Sequence, residues 1–379
     1  MRISYKFRMH EGSKQHRLNL IVTMAGRIRN HCLAFQKTYY RLFKKHCHKF
    51  ALMKHIAKIR KRRKEWQIVG SQCVNALIVK LDLSYQAFFK WIKTRKGPER
   101  GTPKFKKSAG NGSVTFNQAG WAYSSGNRIR FGKNWYKFIK SREIEGTIKT
   151  CTLKRDSRGK FWVTFSCVKE DVVSQIAGST NTAGFYFGIK TFLHCSDGTT
   201  IESPEFFKTS LPEVSKGNRE LASKEKGSNN RLKAKLRLSR LHQRIADRRQ
   251  DWLFKLAHPL CDRYDRMYLE TLNIDSMKRL RGREVSDLAP YLFLQTLKWV
   301  ACKRGKHVGQ LERWEPTTKT CNQCGHVQEM SFTLQVFECG GCHRSINRDL
   351  NAALNIKSLE HQRDGLGDIS LDLNQAILV

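Results

Sequence analysis

Over Met1–Met9 apolar and basic residues alternate, with Ile3, Tyr5, Phe7 and Met9 on one side, which predicts a short strand with one face buried. From Leu18 the period lengthens. Leu18, Ile21, Ala25, Ile28, Cys32, Phe35, Tyr39 and Leu42 recur every three or four residues, the stripe of an amphipathic helix capped by Ser13, while Arg17, Arg27, Arg29, Lys37 and Arg41 project off that face. A second helical pattern covers Ser71–Lys93 and stops before Gly97-Pro98 and a basic loop. After Gly112 the pattern alternates again; Ile148–Lys154 and Phe161–Val168 flank Asp156-Ser157-Arg158-Gly159, the chemistry of a hairpin turn.

A polar connection at Val173–Thr182 predicts a domain boundary. Beyond it an apolar, strand-like run covers Gly184–Leu193, followed by a Ser196-Asp197-Gly198 turn and a third short strand. Arg231–Lys255 reads as one very basic helix with Leu232, Leu236, Leu241, Ile245 and Trp252 as its apolar stripe. A strand at Tyr264–Glu270, a helix at Tyr291–Arg304 and a helical run from Leu350 to Leu359 complete the pattern.

Charge narrows the function. Lys+Arg number 71 against 32 Asp+Glu, a formal net charge of +39 on 379 residues, which calls for a polyanionic partner, nucleic acid before any membrane surface. There is no run of about 18 apolar residues and no signal-peptide pattern, so a cytoplasmic location is expected. The run Lys58–Lys64 is as compatible with a solvated face as with a phosphate contact. Eight of the twelve cysteines (Cys32, Cys47, Cys73, Cys151, Cys167, Cys195, Cys261, Cys302) stand singly among apolar residues and read as small core side chains rather than a disulfide framework.

The other four have metal-site spacing. Cys321-Asn-Gln-Cys324 and Cys339-Gly-Gly-Cys342 present two thiolate pairs, with Gly325, Gly340 and Gly341 free to make the tight turns, and predict a structural Zn²⁺ ribbon rather than a redox pair. Two carboxylates stand at places a nuclease would use: Glu270 at the end of an apolar strand, and Asp349 in Asn347-Arg348-Asp349-Leu350-Asn351 at the start of a helix. A nuclease of the RNase H kind holds two Mg²⁺ ions with acidic groups converging from separate elements.

At these residues a resemblance becomes specific. Phe187–Phe192 with the Ser196-Asp197-Gly198 turn, Glu270-Thr-Leu-Asn-Ile, Pro316–Gly325 and Arg348–Ala353 resemble, in order and spacing, TnpB, the transposon-encoded RNA-guided nuclease family related to the type V CRISPR effectors. Leu81-Asp82, Phe88–Lys90 and Gly101–Lys106 resemble that family's helical recognition segment. The resemblance implies an α+β multidomain protein: a β-barrel wedge domain (1–10 and 112–172) with a helical recognition insertion (11–111), then an RNase H-like (RuvC) α/β domain (183–320 and 343–359) with a basic helical insertion (217–258), an inserted zinc ribbon (321–342) and a tail (360–379).

One position departs from the family. Its first RuvC motif reads Gly-Ile-Asp-x-Gly; here the stretch is Gly184-Phe-Tyr-Phe-Gly188, so Tyr186 stands where the metal-bridging Asp is expected. A phenol neutral at pH 7 cannot bridge hard cations, and Asp197, in a hairpin turn, is a poor substitute. The expectation is a nuclease-dead, RNA-guided DNA binder of the TnpB-like repressor branch, degenerate at Tyr186, Glu270 and Asp349, binding Mg²⁺ without catalysis if at all. The alternatives are an active RNA-guided DNA endonuclease of a transposon and a transposon relic with no guide. The expected partners are a guide RNA with a structured scaffold and duplex DNA with a short flanking motif, bound by a monomer in the bacterial nucleoid. The expected phosphate contacts are Arg27, Arg41, Lys44, Lys45, Arg62, Arg63, Lys104, Lys106, Arg231, Lys233, Arg237, Arg240, Arg244 and Arg248, with Gln72 and Asn75 as readers of the flanking motif.

Overall fold

The computed structural model describes residues 2–106, 112–117, 119–168, 181–188, 191–272, 282, 287–312, 315–331 and 334–364. The connection at 173–180, Asn273-Ile274 and the tail beyond 364 lie outside the described residues. The chain divides into two compact units, Met1–Asp171 and Val172–Asp372.

In the first unit, strand β1 (Arg2–Arg8) is followed by helices α1 (Gln15–Phe43) and α2 (Lys49–Arg62), a 3-10 turn (Lys64–Ile68) and α3 (Ser71–Thr94). Six strands follow: β2 (Ser113–Phe116), β3 (Trp121–Ser124), β4 (Arg128–Phe131), β5 (Asn134–Lys137), β6 (Thr147–Arg155) and β7 (Phe161–Val168). They form a sheet ordered β1-β7-β6-β2 and a second ordered β3-β4-β5. β1 runs antiparallel to β7, from Arg2↔Val168 to Arg8↔Trp162, and the alternation places Ile3, Tyr5 and Phe7 opposite Cys167, Phe165 and Val163 in the core. The same core takes Leu18, Ile28 and Leu33 of α1 and Cys73 and Ile78 of α3.

Three local expectations change. α1 has Lys14, not Ser13, as its N-cap, with no side-chain cap; Ser13 instead offers its carbonyl to His16 Nδ1. Its apolar stripe also outruns the core, since Leu42 is exposed. The run Lys58–Lys64 spans the last turns of α2 and the start of the 3-10 turn; α2 is anchored by just Leu52 and Ile56, too sparse a repeat to stand out among basic residues.

The second unit is built on β8 (Thr182–Tyr186), β9 (Thr191–Cys195), β10 (Thr200–Glu202), a short turn α4 (Phe206–Thr209), α5 (Leu211–Ala222), α6 (Asn229–Arg263), β11 (Arg266–Leu269), α7 (Pro290–Lys303), β12 (His307–Gln310), β13 (Val336–Glu338), β14 (Ser345–Asn347) and α8 (Arg348–Asp364). Its five-stranded sheet has the order β10-β9-β8-β11-β12, antiparallel on the first side and parallel on the other. The apolar run 184–193 is therefore two strands and not one. β8 ends at Tyr186 and β9 begins at Thr191, and a Cβ on Gly188 would lie 2.5 Å from the Thr191 carbonyl oxygen.

Helices cover both faces. Ala183, Phe185, Met267 and Leu269 point towards α6 and α7, into a core with Phe192 and Phe293. The opposite face is made flat by Gly184, and α8 lies on it so closely that a Cβ there would meet the Ala353 oxygen at 2.2 Å and the Lys357 nitrogen at 2.5 Å. α5 and α6 form an antiparallel hairpin, tied by Arg231, whose Nη1 donates to the carbonyls of Leu221 and Lys224 at 2.7 Å each. The buried stripe of α6 is Ala234, Ile245, Leu253, Ala257 and Leu260; Leu232 is exposed, because the hairpin contact runs through Leu238 against Gly217 instead.

Candidate nuclease-like site and four-cysteine centre

Parallel pairing sets Phe185 beside Leu269, so the next residues, Tyr186 and Glu270, leave adjacent strand ends side by side on the α8 face. Antiparallel pairing puts His194 of β9 opposite Tyr186 from the other side. α8 supplies the fourth group. From Gly184 to Tyr186 the strand advances about 6.6 Å, and from Ala353 back to Asp349 the helix advances about 6 Å, so the contact at Gly184 brings Asp349 over Tyr186. Asn347 caps that helix, accepting the N–H groups of Asp349 at 3.0 Å and Leu350 at 3.1 Å, and Asp349 sits in the first turn, where the helix dipole favours an anion.

The charges at this convergence are already engaged. Asp349 accepts from Arg348 Nη2 at 3.0 Å and Nε at 3.1 Å and lies 3.3 Å from His194 Nε2. Burial pushes the Glu270 carboxyl up to about 7, one hydrogen bond from the Phe187 N–H at 3.2 Å opposing it and the Asp349 charge adding to it. Burial, then the Glu270 and Asp349 charges, push the Tyr186 phenol well above its ordinary value, so it remains a neutral O–H packed beside Tyr268, Leu311 and Ile356. This donor set does not fit a pair of hard cations. It offers a neutral phenol, a carboxyl that burial drives towards its neutral form, and an aspartate already held by the Arg348 guanidinium with the His194 ring 3.3 Å away.

Asp197 stands elsewhere. It accepts from the Tyr264 hydroxyl and from Arg263 Nη2 at 2.7 Å, before the start of β11, whereas Glu270 follows its end, six residues or about 20 Å on along the strand direction. The residue that sequence reasoning missed is His194. Its only signal was a polar residue interrupting an apolar strand, and its meaning depends on the pairing with Tyr186.

The four-cysteine centre is compact. Cys321, Cys324, Cys339 and Cys342 place their sulfurs within 4.8 Å of one another, with Cys321–Cys342 at 3.7 Å and Cys324–Cys339 at 3.5 Å. Four sulfurs about 2.3 Å from one Zn²⁺ define tetrahedral edges of about 3.8 Å, so the residues fit that ion. The Cys339 sulfur accepts the N–H groups of Cys342 and Gly341 at 3.4 Å, and the Cys342 bond leads in lowering its thiol to about 6. Two buried asparagines fasten the centre to α8: Asn351 Nδ2 donates to the Thr320 carbonyl at 2.7 Å, and Asn355 Nδ2 to those of Thr317 at 2.8 Å and Thr320 at 2.7 Å.

Comparison with known proteins agrees with this layout. Residues 165–281 match the OrfB_IS605 family model, described as "Probable transposase", and residues 291–356 match the Cas12f1-like TNB domain. Over these two regions the chain is similar to the OrfB_IS605 family and to the Cas12f1-like TNB domain. The TNB segment takes in α7, β12, the four cysteines and the first turns of α8, Asp349 included; the OrfB_IS605 segment holds Tyr186, His194 and Glu270. A "Putative RNA-guided DNA endonuclease" of Streptomyces pristinaespiralis is 30% identical over 224 residues, 58% of this chain and 54% of its own length. The "Putative RNA-guided DNA endonuclease InsQ" of Escherichia coli K12 is 25% identical over 312 residues, 77% and 75% of the two chains. The "TnpB-like protein L79" of a mimivirus is 26% identical over 58% of this chain and 45% of its own. The match thus spans about half the length of the first and third of these relatives. Among solved structures, the Cas12f1 protein of a Cas12f1–sgRNA–target DNA complex shares the fold, with a TM-score of 0.57, 14% identity, and coverage of 94% of this chain and 98% of that one.

The expected phosphate contacts fall into two groups. Arg27, Arg41, Lys44, Lys45, Arg62, Arg63 and Lys104 are exposed in the first unit, as is Lys106, whose backbone is pinned to Asn30 of α1. In the second unit Lys233, Arg240 and Arg244 are exposed along one flank of α6, whereas Arg231 ties the hairpin, Arg237 pairs with Glu220 at 2.6 Å and Arg248 lies over the Phe206 ring. Gln72 is exposed and Asn75 half-buried on the first turns of α3. Among the described residues no helix is long and apolar enough to cross a membrane.

Proposed function

We propose that this protein is an RNA-guided, sequence-specific DNA-binding protein whose RuvC-like centre does not cut, and that it represses transcription by occluding its target. The observation that carries the reading is Tyr186: a neutral phenol at the strand end beside Glu270 and under Asp349, where two-metal hydrolysis needs a bridging carboxylate. The surplus of 71 basic over 32 acidic residues suits a guide RNA and a DNA strand paired with it, gripped through the backbone while base pairing reads sequence. Within that reading Lys233, Arg240 and Arg244 meet phosphates, Gln72 and Asn75 face the flanking motif, and the four cysteines hold a structural zinc.

A second reading has specific support. The Streptomyces and E. coli relatives carry the name RNA-guided DNA endonuclease, and Glu270 and Asp349 still converge. The two separate in one experiment: the copurified protein–RNA complex is incubated with guide-matched duplex and Mg²⁺. Stable binding with both strands intact is expected; guide-dependent scission establishes the endonuclease. A protein that purifies with no discrete RNA overturns both.

A further inference from the structure

Along α1 four rings stand four residues apart, His31, Phe35, Tyr39 and Phe43, and therefore share one face of the helix. With His55 of α2, which stacks 6.2 Å from His31, they form a continuous ladder. Trp66 meets His31 edge-on at 5.2 Å, His55 of α2 stacks on Phe35 at 4.1 Å, Phe35 lies 6.0 Å from Tyr39, and Tyr39 lies 4.7 Å from Phe43. Trp66 is 3% exposed and Phe43 58%, so the ladder begins in the core and ends at solvent, with Tyr40 and Leu42 also exposed at its outer end. Rings held this way are pre-ordered, and an exposed apolar group of this kind marks a binding surface.

The surrounding charge identifies the occupant. No Asp or Glu occurs between Glu11 and Glu65, and exposed Lys44 and Lys45 follow Phe43 directly at the outer end of the ladder. A second copy of a chain with net charge +39 would bring like charge to this acid-free surface. A nucleic acid strand brings both complements at once, anionic phosphates and flat π faces.

We propose that Tyr39 and Phe43 stack on unpaired nucleobases of a bound strand whose phosphates lie against Lys44 and Lys45. The site rests on the nucleic-acid reading above and adds to it a contact that phosphate binding cannot supply, one that distinguishes single strands from duplex and tolerates any base.

The test uses the full chain with single-stranded DNA and RNA oligonucleotides of about 12 nucleotides carrying 2-aminopurine, and a blunt duplex as control. Wild type quenches the probe on binding. Phe43→Leu and Tyr39→Leu, which keep the apolar character, abolish the quench and weaken single-strand binding about 5- to 150-fold, with duplex affinity and salt dependence unchanged and, for the exposed Phe43, the thermal midpoint unchanged as well. The arm that loses more identifies the source as RNA or as displaced DNA. Undiminished quench and single-strand affinity in both variants, with duplex binding intact, overturn the stacking site and leave the nucleic-acid reading standing. A change of oligomeric state in sedimentation with the quench retained makes the patch a protein interface and also overturns it. Failure of wild type to bind either strand or duplex removes the underlying reading itself.

Discussion

Tyr186 fills, with an aromatic ring, space beside Tyr268, Leu311 and Ile356, so its replacement exchanges packing for charge. Tyr186→Asp would set a third carboxyl beside Glu270 and Asp349; like charges this close repel, and the lost ring contacts add to the cost, for an expected destabilisation of about 1–3 kcal/mol in urea unfolding. Because the three carboxyls then converge from two strands and a helix, Mg²⁺ is expected to raise the thermal midpoint of Tyr186→Asp and not of wild type, and guide-matched DNA to be cut in Mg²⁺. Adding Glu270→Gln should remove both effects. A different residue contributes to the acid dependence of the first unit. Asp156 organises the β6–β7 turn, and although burial acts to raise its carboxyl, hydrogen bonds from Trp162 Nε1, from Arg158 and from the Lys160 and Arg158 N–H groups hold it below the usual range. A carboxyl depressed in the folded state stabilises above its unfolded value and loses that stabilisation as pH falls through the folded one. Asp156→Asn is expected to lower stability by about 1–2 kcal/mol at pH 7, the gap from wild type closing as the pH drops below about 4, read from urea midpoints across that range.

At the scale of elements, α6 separates two kinds of basic residue that look alike as letters. Arg231 and Arg237 hold the α5–α6 hairpin, whereas Lys233, Arg240 and Arg244 are exposed on one flank of a helix that rises about 5.4 Å per turn. The triple change of those three to Ala should reduce the slope of log K against log salt by about 2–3 for RNA or DNA with little change in unfolding, while Arg231→Ala should lower stability and leave the slope nearly unaltered. No periodicity reveals this distinction, because it depends on partners across the hairpin. The same reason explains what was legible in the sequence. α1, α3, α7 and the β6–β7 hairpin have dense repeats or clear turn chemistry; α2 has two buried apolar residues in fourteen and disappears into its own charge. The division of the run 184–193 into β8 and β9 was hidden because both strands are apolar. Glu270 and Asp349 were recognisable from local motifs, but His194 reaches Asp349 only through long-range packing, and the exposed end of the α1 ring ladder at Phe43 depends on where the core stops.

For the whole molecule, the four-cysteine centre decides how far the loss of one ion propagates. Two buried asparagines run from α8 to the backbone entering that centre, and α8 in turn lies on Gly184 and carries Asp349. A metal bound by four thiolates contributes folding free energy directly, on the order of 10 kcal/mol in small zinc domains, so removing it should loosen the second unit's α8 face. The first unit has its own core in β1, β6, β7 and α1, with none of these ligands in it. Purified protein is therefore expected to contain one zinc per chain, and Cys321→Ser with Cys339→Ser to abolish it. Hydrogen exchange should then rise along α8 and β8 while amides of β1, β6 and β7 stay protected, the signature of a local rather than a global opening. Equal loss of protection in both units would mean that the ion supports the entire chain. Unchanged protection at α8 in the zinc-free variant would mean that the asparagine contacts and the Gly184 packing suffice to seat the helix, and that the four cysteines stabilise only the short segment they enclose.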